Sequence, residues 1–350
     1  MGISVEVLSN WMDDKTGEVR STIGPRVRRM KPKSIIMLEN ARCDALETCL
    51  WRPPPISIAP LLKRLTGYAN SIRAQLASVH INEGFAASNC DLSSALVPLT
   101  MERVALGRHI AREMAGPVQD ARNAEVVIFS GAKFNKLDAL AGILDQGRVK
   151  LVIAGGLLAL PLLRAEADLS GQYFEIGNAD EVPSICSEQA ASLLTHMRER
   201  QIELLLPVDF VLEDGRIVKR IPSGIAQRDI GPLSLERISL RLHRYARERP
   251  GAVLFHNGVV GQFERPEYAI GTQGLIQTLQ DVCTAGMRVY IGGGEGGLAL
   301  AQFGDQAAVT HCFTAGTTIL KSLGIKPIPY LWALSQASRR IARSEERDAV

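Results

Sequence analysis

The sequence lacks any hydrophobic stretch long enough to cross a membrane. Its longest apolar run, Leu151 to Leu163, is interrupted by Gly155, Gly156 and Pro161, whereas a membrane-spanning helix needs about 20 mostly apolar residues. This run is typical of a buried strand that leads into a turn. The N-terminus lacks a basic start followed by an apolar core, so we do not expect a signal peptide.

Cysteine and histidine patterns typical of metal sites are also absent. The six cysteines have no C-x-x-C spacing, and the six histidines show no H-E-x-x-H or comparable pairing. We therefore expect no zinc, and we expect the cysteines to be reduced thiols. The net charge of +3 does not indicate nucleic-acid binding. The 350 residues, 46% of them hydrophobic and 22% charged, suffice for two domains. We expect a cytoplasmic α/β protein without membrane or nucleic-acid contacts.

Strand-like and helix-like segments alternate along most of the chain. The predicted strands are 5–8, 34–39, 78–82, 124–129, 149–154, 203–207, 253–256, 289–291 and 308–313. The predicted helices are 58–77, 99–114, 137–144, 271–285 and 298–302. Such alternation predicts a mainly parallel sheet. We interpret the helix from Leu99 to Met114, which Gly116 and Pro117 end, as a connector between two domains.

The most informative stretch runs from Met287 to Leu300 and reads as a strand, a glycine turn and a helix start. Gly292, Gly293 and Gly294 end the strand. Backbone N–H groups at a helix start are unpaired, and glycines allow a phosphate to approach them closely. The turn is therefore a candidate anion site, and Glu295 is placed to hold a metal ion beside it.

Two other interpretations of this stretch remain open. The first is a tight strand–helix turn that binds no ligand. The second is a dinucleotide-binding fold, because Gly292, Gly294 and Gly297 satisfy the G-x-G-x-x-G pattern. The acidic residue expected about twenty positions later is missing from the segment Thr314 to Lys321. No Walker A pattern occurs in the chain.

Glycine-containing turns follow several of the predicted strands. They lie at 130–131, 155–156, 257–258, 292–294 and 315–316. Ligands of parallel α/β sheets bind at the carboxyl ends of strands, and all of these turns fall at that end. We therefore predict one ligand-binding crevice along this edge of the sheet.

Nine short motifs follow one another along the chain, namely LENAR at 38–42, VHINEGF at 79–85, SGAK at 130–133, the glycine pair 155–156, LPVD at 206–209, DIGP at 229–232, NGVVGQFE at 257–264, GGGE at 292–295 and TAGT at 314–317. In this order they resemble motifs of the phosphoglycerate kinase family, from about Val5 to Leu334. Each segment is short, but their common order makes the resemblance specific.

The resemblance implies two Rossmann-like lobes with mainly parallel sheets. The N-terminal lobe, 1–98, would be incomplete, 99–116 would connect the lobes, and 117–334 would bind nucleotide. The family usually stops before 335–350, which we predict from its charged residues to be a solvated helical tail. The family transfers a phosphoryl group directly and in line between Mg-ATP and the carboxylate of 3-phosphoglycerate, after hinge closure. The implied cofactors are ATP or ADP and Mg²⁺, and the implied substrate is this acid or a related one.

The resemblance also implies roles for individual residues. Lys133 would contact nucleotide phosphate, Glu264 would hold the ribose, Glu295 would be the metal ligand, and Arg42 would bind the substrate phosphate. The implied nucleotide-binding positions are Gly131, Lys133, Gly155, Gly156, Asn257, Glu264, Gly292 and Thr317. The implied catalytic positions, which present backbone donors to the transferring group, are Gly293, Gly294 and Gly316.

The sequence departs from the family most strongly in its N-terminal part. The opening RVDFN and SHLGRP motifs have no counterpart, and the HRAH loop aligns with Asn89 to Leu92. The second lysine of GGAK-x-x-x-K falls on Leu137, and we expect the adjacent Lys136 to face differently on its helix. Losing one well-placed donor to a transition-state charge typically costs about 10²–10³ in rate. We therefore expect impaired turnover.

Three hypotheses about function remain open from the sequence. The chain is a divergent kinase, a non-catalytic relative that acts through nucleotide or protein binding, or a fragment of a complete kinase. Missing central strands in the N-terminal sheet would leave strand edges and apolar surface uncovered. Self-association or a partner chain could cover that surface.

Overall fold

The computed structural model describes residues 5–51, 59–134, 136–175, 177 and 185–348. The β-strands are β1 Val5–Leu8, β2 Ile35–Leu38, β3 Val79–Asn82, β4 Arg103–Leu106, β5 Ala124–Phe129, β6 Leu151–Ala154, β7 Glu203–Leu205, β8 Phe210–Leu212, β9 Ile217–Val218, β10 Gln227–Ile230, β11 Val253–Asn257, β12 Arg288–Gly292 and β13 His311–Cys312. The α-helices are α1 Ile23–Arg28, α2 Ala59–Gln75, α3 Leu92–Ala95, α4 Arg108–Ala115, α5 Pro117–Ala121, α6 Lys136–Leu144, α7 Ala159–Leu169, α8 Ile185–Glu199, α9 Pro232–Glu248, α10 Ile270–Thr284, α11 Gly294–Phe303, α12 Thr317–Leu323 and α13 Pro329–Asp348.

The chain forms two compact units. The first comprises Met1–Ala111 and Pro327–Val350, and the second comprises Arg112–Lys326. The predicted lobe boundaries, 1–98 and 117–334, remain a prediction, and the units place 327–334 with the first unit rather than the second. The predicted α/β class with mainly parallel sheets is confirmed by the strand pairing.

A six-stranded parallel sheet forms the centre of the second unit. Its strand order is β13-β12-β11-β5-β6-β7. β5, β6 and β11 are almost entirely apolar and buried, as parallel strands covered on both faces require. Because all six strands run the same way, the turns that follow them lie along one edge of the sheet.

The smaller sheet of the second unit is antiparallel, with strand order β10-β8-β9. Asp209, from the LPVD segment, precedes β8 and caps α9, because its carboxylate accepts hydrogen bonds from the backbone N–H groups of Leu233 and Ser234. This motif residue is therefore structural in the described geometry.

The first unit contains two separate two-stranded parallel sheets, β1-β2 and β3-β4. One face of β1-β2 contributes Leu8, Ile36 and Leu38 to an apolar core that includes Trp11 and Tyr68. The opposite face is exposed. Large apolar side chains with 41–63% of their surface exposed lie on these two sheets, namely Val5, Val7, Ile35, Met37, Val79 and Ile81. Parallel sheets are normally covered on both faces, so these faces are unusual.

The helix predicted from Leu99 to Met114 is wrong in its first half. β4 pairs with β3 there, and α4 begins only after Gly107. Leucine and alanine favour a helix in isolation, but pairing with β3 determines the conformation of this segment. The tail is helical as predicted, within α13, and is solvated over 338–347, except for partly buried Ile341, whereas Ala333, Leu334 and Ala337 are buried.

The remaining predicted elements match the structure closely. The predicted strand 308–313 is shortened to β13, and the predicted helix 58–77 corresponds to α2, although part of its start lies outside the described residues. Among the described helices, none combines the length and apolar character that a bilayer crossing requires.

Asp229, from the DIGP segment, is a buried carboxyl group beneath the start of α10. It accepts hydrogen bonds from the N–H groups of Gly271 and Ile230, each at 2.8 Å. A Cβ at Gly261 or Gly271 would lie within 2.3 Å of Asp229 Oδ1, so these glycines make room for the carboxyl group. Burial raises the pKa of Asp229 to about 7.

This raised pKa predicts a contribution to stability that depends on pH. The folded state holds a proton on Asp229 more tightly than the unfolded chain does, so the contribution is complete below pH 4 and is lost as pH rises through 7. In Asp229→Asn this loss disappears. We expect the free energy of unfolding of the wild type, relative to that of the variant, to fall between pH 5 and 7 by on the order of 1 kcal/mol per pH unit, which thermal unfolding at each pH measures. A constant difference between the two proteins would contradict this assignment.

Candidate functional site

The turns that follow the parallel strands surround two adjoining cavities in the second unit. The larger, which we call the anion pocket, has a volume of about 520 Å³ and is lined by Lys133, Lys136, Asp138, Ala139, Asn257, Gly258, Gly293, Gly294, Glu295, Gly296, Leu298, Gly316, Thr317, Leu320, Lys321 and Lys326. Its lining contains four lysines and only two carboxylates, so the pocket favours an anion.

The glycine turn after β12 shapes one wall of the anion pocket. Gly293 has φ +96°, a conformation that a residue with a side chain rarely adopts, and α11 begins at Gly294. Asn257 fixes the turn, because its Nδ2 donates a hydrogen bond to the carbonyl oxygen of Gly292 at 2.9 Å. The first backbone N–H groups of α11 have no partner within the helix, so this wall provides donors for an anion.

Lys136 is the buried cation of the anion pocket. Its Nζ donates a hydrogen bond to the carbonyl oxygen of Ser130 at 2.8 Å, and only 9% of its side chain is exposed. Burial lowers the pKa of Lys136 to about 8. Close backbone packing holds the ammonium group, since a Cβ at Gly258, which has φ +106°, would lie 2.9 Å from Nζ.

Glu295 stands between Lys136 and Lys133. Its Oε1 lies 3.7 Å from Lys133 Nζ, and its Oε2 lies 3.9 Å from Lys136 Nζ. Lys133 is largely exposed, with 70% of its side chain accessible. The three side chains form a cation–anion–cation cluster in the lining of the pocket.

The smaller cavity, which we call the flat pocket, has a volume of about 380 Å³. It is lined by Gly131, Ala132, Gly156, Leu157, Gln227, Arg228, Val259, Val260, Gly261, Gln262, Glu264 and Glu295. Its lining combines glycines, such as Gly131 and Gly156, with apolar residues such as Leu157 and Val259 and polar ones such as Glu264. Glu295 lines both cavities, so the two adjoin there.

The structure brings together most of the residues predicted from the sequence. The anion pocket contains Lys133, Asn257, Gly293, Gly294, Glu295, Gly316 and Thr317, and the flat pocket contains Gly131, Gly156 and Glu264. Gly155 and Gly292 lie behind these walls, where a Cβ would meet Val260 at 2.6 Å and Phe255 at 2.9 Å. The ligand roles of these residues remain predictions.

Arg42 is separate from this group, in the first unit, and is already paired. Its Nε and Nη2 donate hydrogen bonds to the two carboxylate oxygens of Asp91 at 2.9 and 3.1 Å. Trp51 Nε1 donates to the same carboxylate at 3.2 Å, and the guanidinium lies over the Trp51 ring.

Sequence reasoning missed two features of the site. Lys136 was expected to face differently from the family's second lysine, but α6 begins at Lys136, and from that first position its side chain reaches Ser130. The offset by one position from the family pattern concealed this residue. Lys321 and Lys326 also line the anion pocket, and their only sequence signal was their proximity to the last glycine turn.

The site offers Mg²⁺ one carboxylate beside the glycine turn, that of Glu295. Glu295 is the carboxylate nearest to the glycine turn, and each of its oxygens faces an ammonium group. No group of three or more histidine, cysteine, aspartate or glutamate side chains in the described ranges is arranged to hold a metal ion. Mg²⁺ prefers carboxylate and phosphate oxygens in octahedral arrangement. Glu295, flanked by two cations, does not fit a metal site.

Comparisons with known proteins converge on one family. A family model described as phosphoglycerate kinase matches residues 2–326. A phosphoglycerate kinase of Synechococcus sp. (strain JA-2-3B'a(2-13)) is 27% identical over 329 residues, which cover 90% of this chain and 74% of that protein. A phosphoglycerate kinase of Chloroflexus aurantiacus is 28% identical over 325 residues, which cover 89% and 74%.

Solved structures show the same fold. The phosphoglycerate kinase of Coxiella burnetii matches 96% of this chain and 78% of its own, with a TM-score of 0.65 and 21% identity. The enzyme of Pyrococcus horikoshii matches 96% and 79%, with a TM-score of 0.68 and 20% identity. Similarity at this level of identity shows the fold alone.

The anion pocket predicts binding of inorganic polyphosphate. In Lys136→Met, we expect the affinity for tripolyphosphate to fall about ten- to hundredfold, because a buried charge-assisted donor is lost. Folding should be preserved, since the substitution removes a desolvated ammonium group. The test is calorimetric titration with tripolyphosphate. Lys150→Met, at an exposed lysine that lines neither cavity, is the matched control, and an equal loss in both variants would contradict the role of Lys136.

The pairing of Arg42 predicts a structural role in the first unit. In Arg42→Ala, the buried carboxylate of Asp91 loses its bidentate partner, and we expect a loss of about 1–3 kcal/mol in stability. Arg73→Ala, which breaks the exposed pair with Glu102, should cost less than about 1 kcal/mol. Thermal unfolding of both variants measures the difference, and equal, small losses would show that the Arg42–Asp91 pair is dispensable.

Proposed function

The chain belongs to the phosphoglycerate kinase family, and from that premise we propose that its second unit binds ATP or ADP. The observation that carries the proposal is the pair of adjoining cavities at the carboxyl edge of the parallel sheet. One is lined by four lysines and by glycine turns, which suits a polyphosphate, and the other is smaller and is lined by Leu157, Val259 and Glu264 among others, which suits a nucleoside.

The proposed orientation follows from the chemistry of the two cavities. The purine lies against backbone at Gly156 and the side chains of Leu157 and Val259, and Glu264 accepts hydrogen bonds from ribose hydroxyls. The phosphates extend past Glu295 into the anion pocket, towards Lys133 and Lys136. Purines stack on flat backbone and apolar surfaces, and phosphates require cations and N–H donors.

We further propose phosphoryl transfer from the bound nucleotide to a carboxylate, either 3-phosphoglycerate or a related acid. Phosphoryl transfer needs positioning and neutralisation of charge more than covalent help. Backbone donors at Gly293, Gly294 and Gly316 and the ammonium group of Lys136 line the pocket where the transferring group would lie. Mg²⁺ would neutralise phosphate charge in the usual chemistry of the family, but Glu295 is poorly suited to hold it.

A second candidate is a non-catalytic relative that acts through nucleotide or protein binding, and features of the first unit favour it. The Nε–Nη2 side of the Arg42 guanidinium is paired with Asp91 within the chain itself, so that side is not available to a substrate phosphate. The exposed apolar faces of β1-β2 and β3-β4 are the kind of surface that another polypeptide covers. Self-association or a partner chain is thus proposed for the first unit.

The direct test combines binding and turnover. We expect ATP and ADP to bind saturably in calorimetry, and Lys133→Ala to weaken binding measurably, because it removes one exposed cation of the pocket. ADP release in the presence of 3-phosphoglycerate measures transfer, and binding without transfer favours the non-catalytic candidate. No binding at millimolar nucleotide by a folded sample would contradict the proposed nucleotide site.

The surface proposal has its own test. Analytical ultracentrifugation of the wild type and of a variant carrying Val7→Lys and Ile81→Lys separates a monomer from a self-associated form. If the exposed faces mediate self-association, the wild type sediments as a defined oligomer and the variant as a monomer. A wild type that is monomeric at all concentrations would contradict self-association through these faces.

A further inference from the structure

Glu295 occupies an unusual position for a carboxylate in a pocket that favours anions. It lies in the first turn of α11, where backbone N–H groups are available to an anion, and it lines both cavities. The side chain is partly exposed, at 37%, so it can rotate without disturbing the core. Its negative charge is therefore placed where a bound phosphate would have to lie.

The two cations around Glu295 differ in their freedom to move. Lys136 is buried and held by the carbonyl oxygen of Ser130, so it remains in the pocket whether or not a ligand is present. Lys133 is exposed, so its ammonium group can pair either with Glu295 or with a bound phosphate. A phosphate that enters the pocket meets the same two ammonium groups that Glu295 faces. The carboxylate of Glu295 and the phosphate are both negative, so they repel each other when both lie close to these ammonium groups.

We propose that Glu295 is an internal counter-ion that competes with the ligand phosphates for Lys133 and Lys136. Binding of a phosphate then requires the carboxylate to turn out of the cluster, towards solvent. This inference rests on the proposed function, in that it takes the ligand to be the polyphosphate of a nucleotide. It also gives Glu295 an unfavourable effect on nucleotide affinity, whereas a metal ligand would have a favourable one.

The two roles predict opposite effects of one substitution. Glu295→Gln keeps the size of the side chain and removes its charge. If Glu295 competes, the variant binds ATP more tightly, about three- to tenfold, as expected for removing the two charge interactions of a partly exposed carboxylate. If Glu295 holds Mg²⁺, the variant binds Mg-ATP more weakly, and the loss disappears in EDTA.

The experiment is calorimetric titration of the full chain with ATP, in EDTA and in MgCl₂, repeated with tripolyphosphate as a probe without a nucleoside. We expect Glu295→Gln to increase the affinity for both ligands in EDTA, and the increase to shrink when Lys136→Met is added. Glu267→Gln is the matched control for a change in net charge, because Glu267 is exposed, pairs with Arg265 and lines neither cavity.

The outcomes separate this inference from the proposed function. Tighter binding by Glu295→Gln, with no change in Glu267→Gln, supports the counter-ion role of Glu295. If the wild type binds ATP and Glu295→Gln weakens that binding or leaves it unchanged, the counter-ion role is overturned while the nucleotide site stands. Absence of ATP binding in both folded proteins, verified by thermal unfolding, contradicts the nucleotide site and the inference together.

Discussion

The candidate site depends on the parallel direction of the six strands in the large sheet. Parallel strands place all their carboxyl ends at one edge, and in this chain β5, β6, β11, β12 and β13 each end there in a turn. The backbone N–H groups and the glycines of these turns therefore converge. Lys136 is the side chain that depends most on this arrangement, since a buried ammonium group is tolerated only where a carbonyl oxygen and a carboxylate face it.

The sequence predicted the parts of the fold that local patterns determine. The strand, glycine turn and helix around 288–303 are present because β-formers, glycines and helix formers follow one another there. The strand β4 was not predicted, because its residues also favour a helix and only the contact with β3 selects the extended form. Pairing between distant segments leaves no local signature of this kind.

Side-chain partners were harder to predict than backbone positions. The orientation of Lys136 depends on where α6 begins, and one residue of difference turns a side chain about 100° around a helix. The pairing of Arg42 with Asp91 joins residues 49 positions apart, so no local pattern indicates it. Glu295 was correctly expected beside the glycine turn, but its two lysine neighbours come from other segments, so the electrostatics of the cluster could not be read from its motif.

The two units differ in how completely they bury their apolar surface. The large sheet is covered on both faces, whereas the two small parallel sheets of the first unit expose valine, isoleucine and methionine side chains. The second unit therefore contains a formed pocket, and the first unit has surface that its own described residues leave uncovered. The formed pocket supports the proposed binding of a nucleotide, whereas the pairing of Arg42 with Asp91 gives less support to binding of a phosphorylated acid at Arg42.

The central claim is that the phosphates of a nucleotide, more than its base, bring it to the second unit. The most direct measurement is a side-by-side calorimetric titration of the wild type with ATP and with adenosine. The account predicts that ATP binds at least about tenfold more tightly than adenosine, because only ATP reaches the lysines of the anion pocket. Added salt is expected to weaken the binding of ATP but not that of adenosine. Equal affinities, or tighter binding of adenosine, would contradict it.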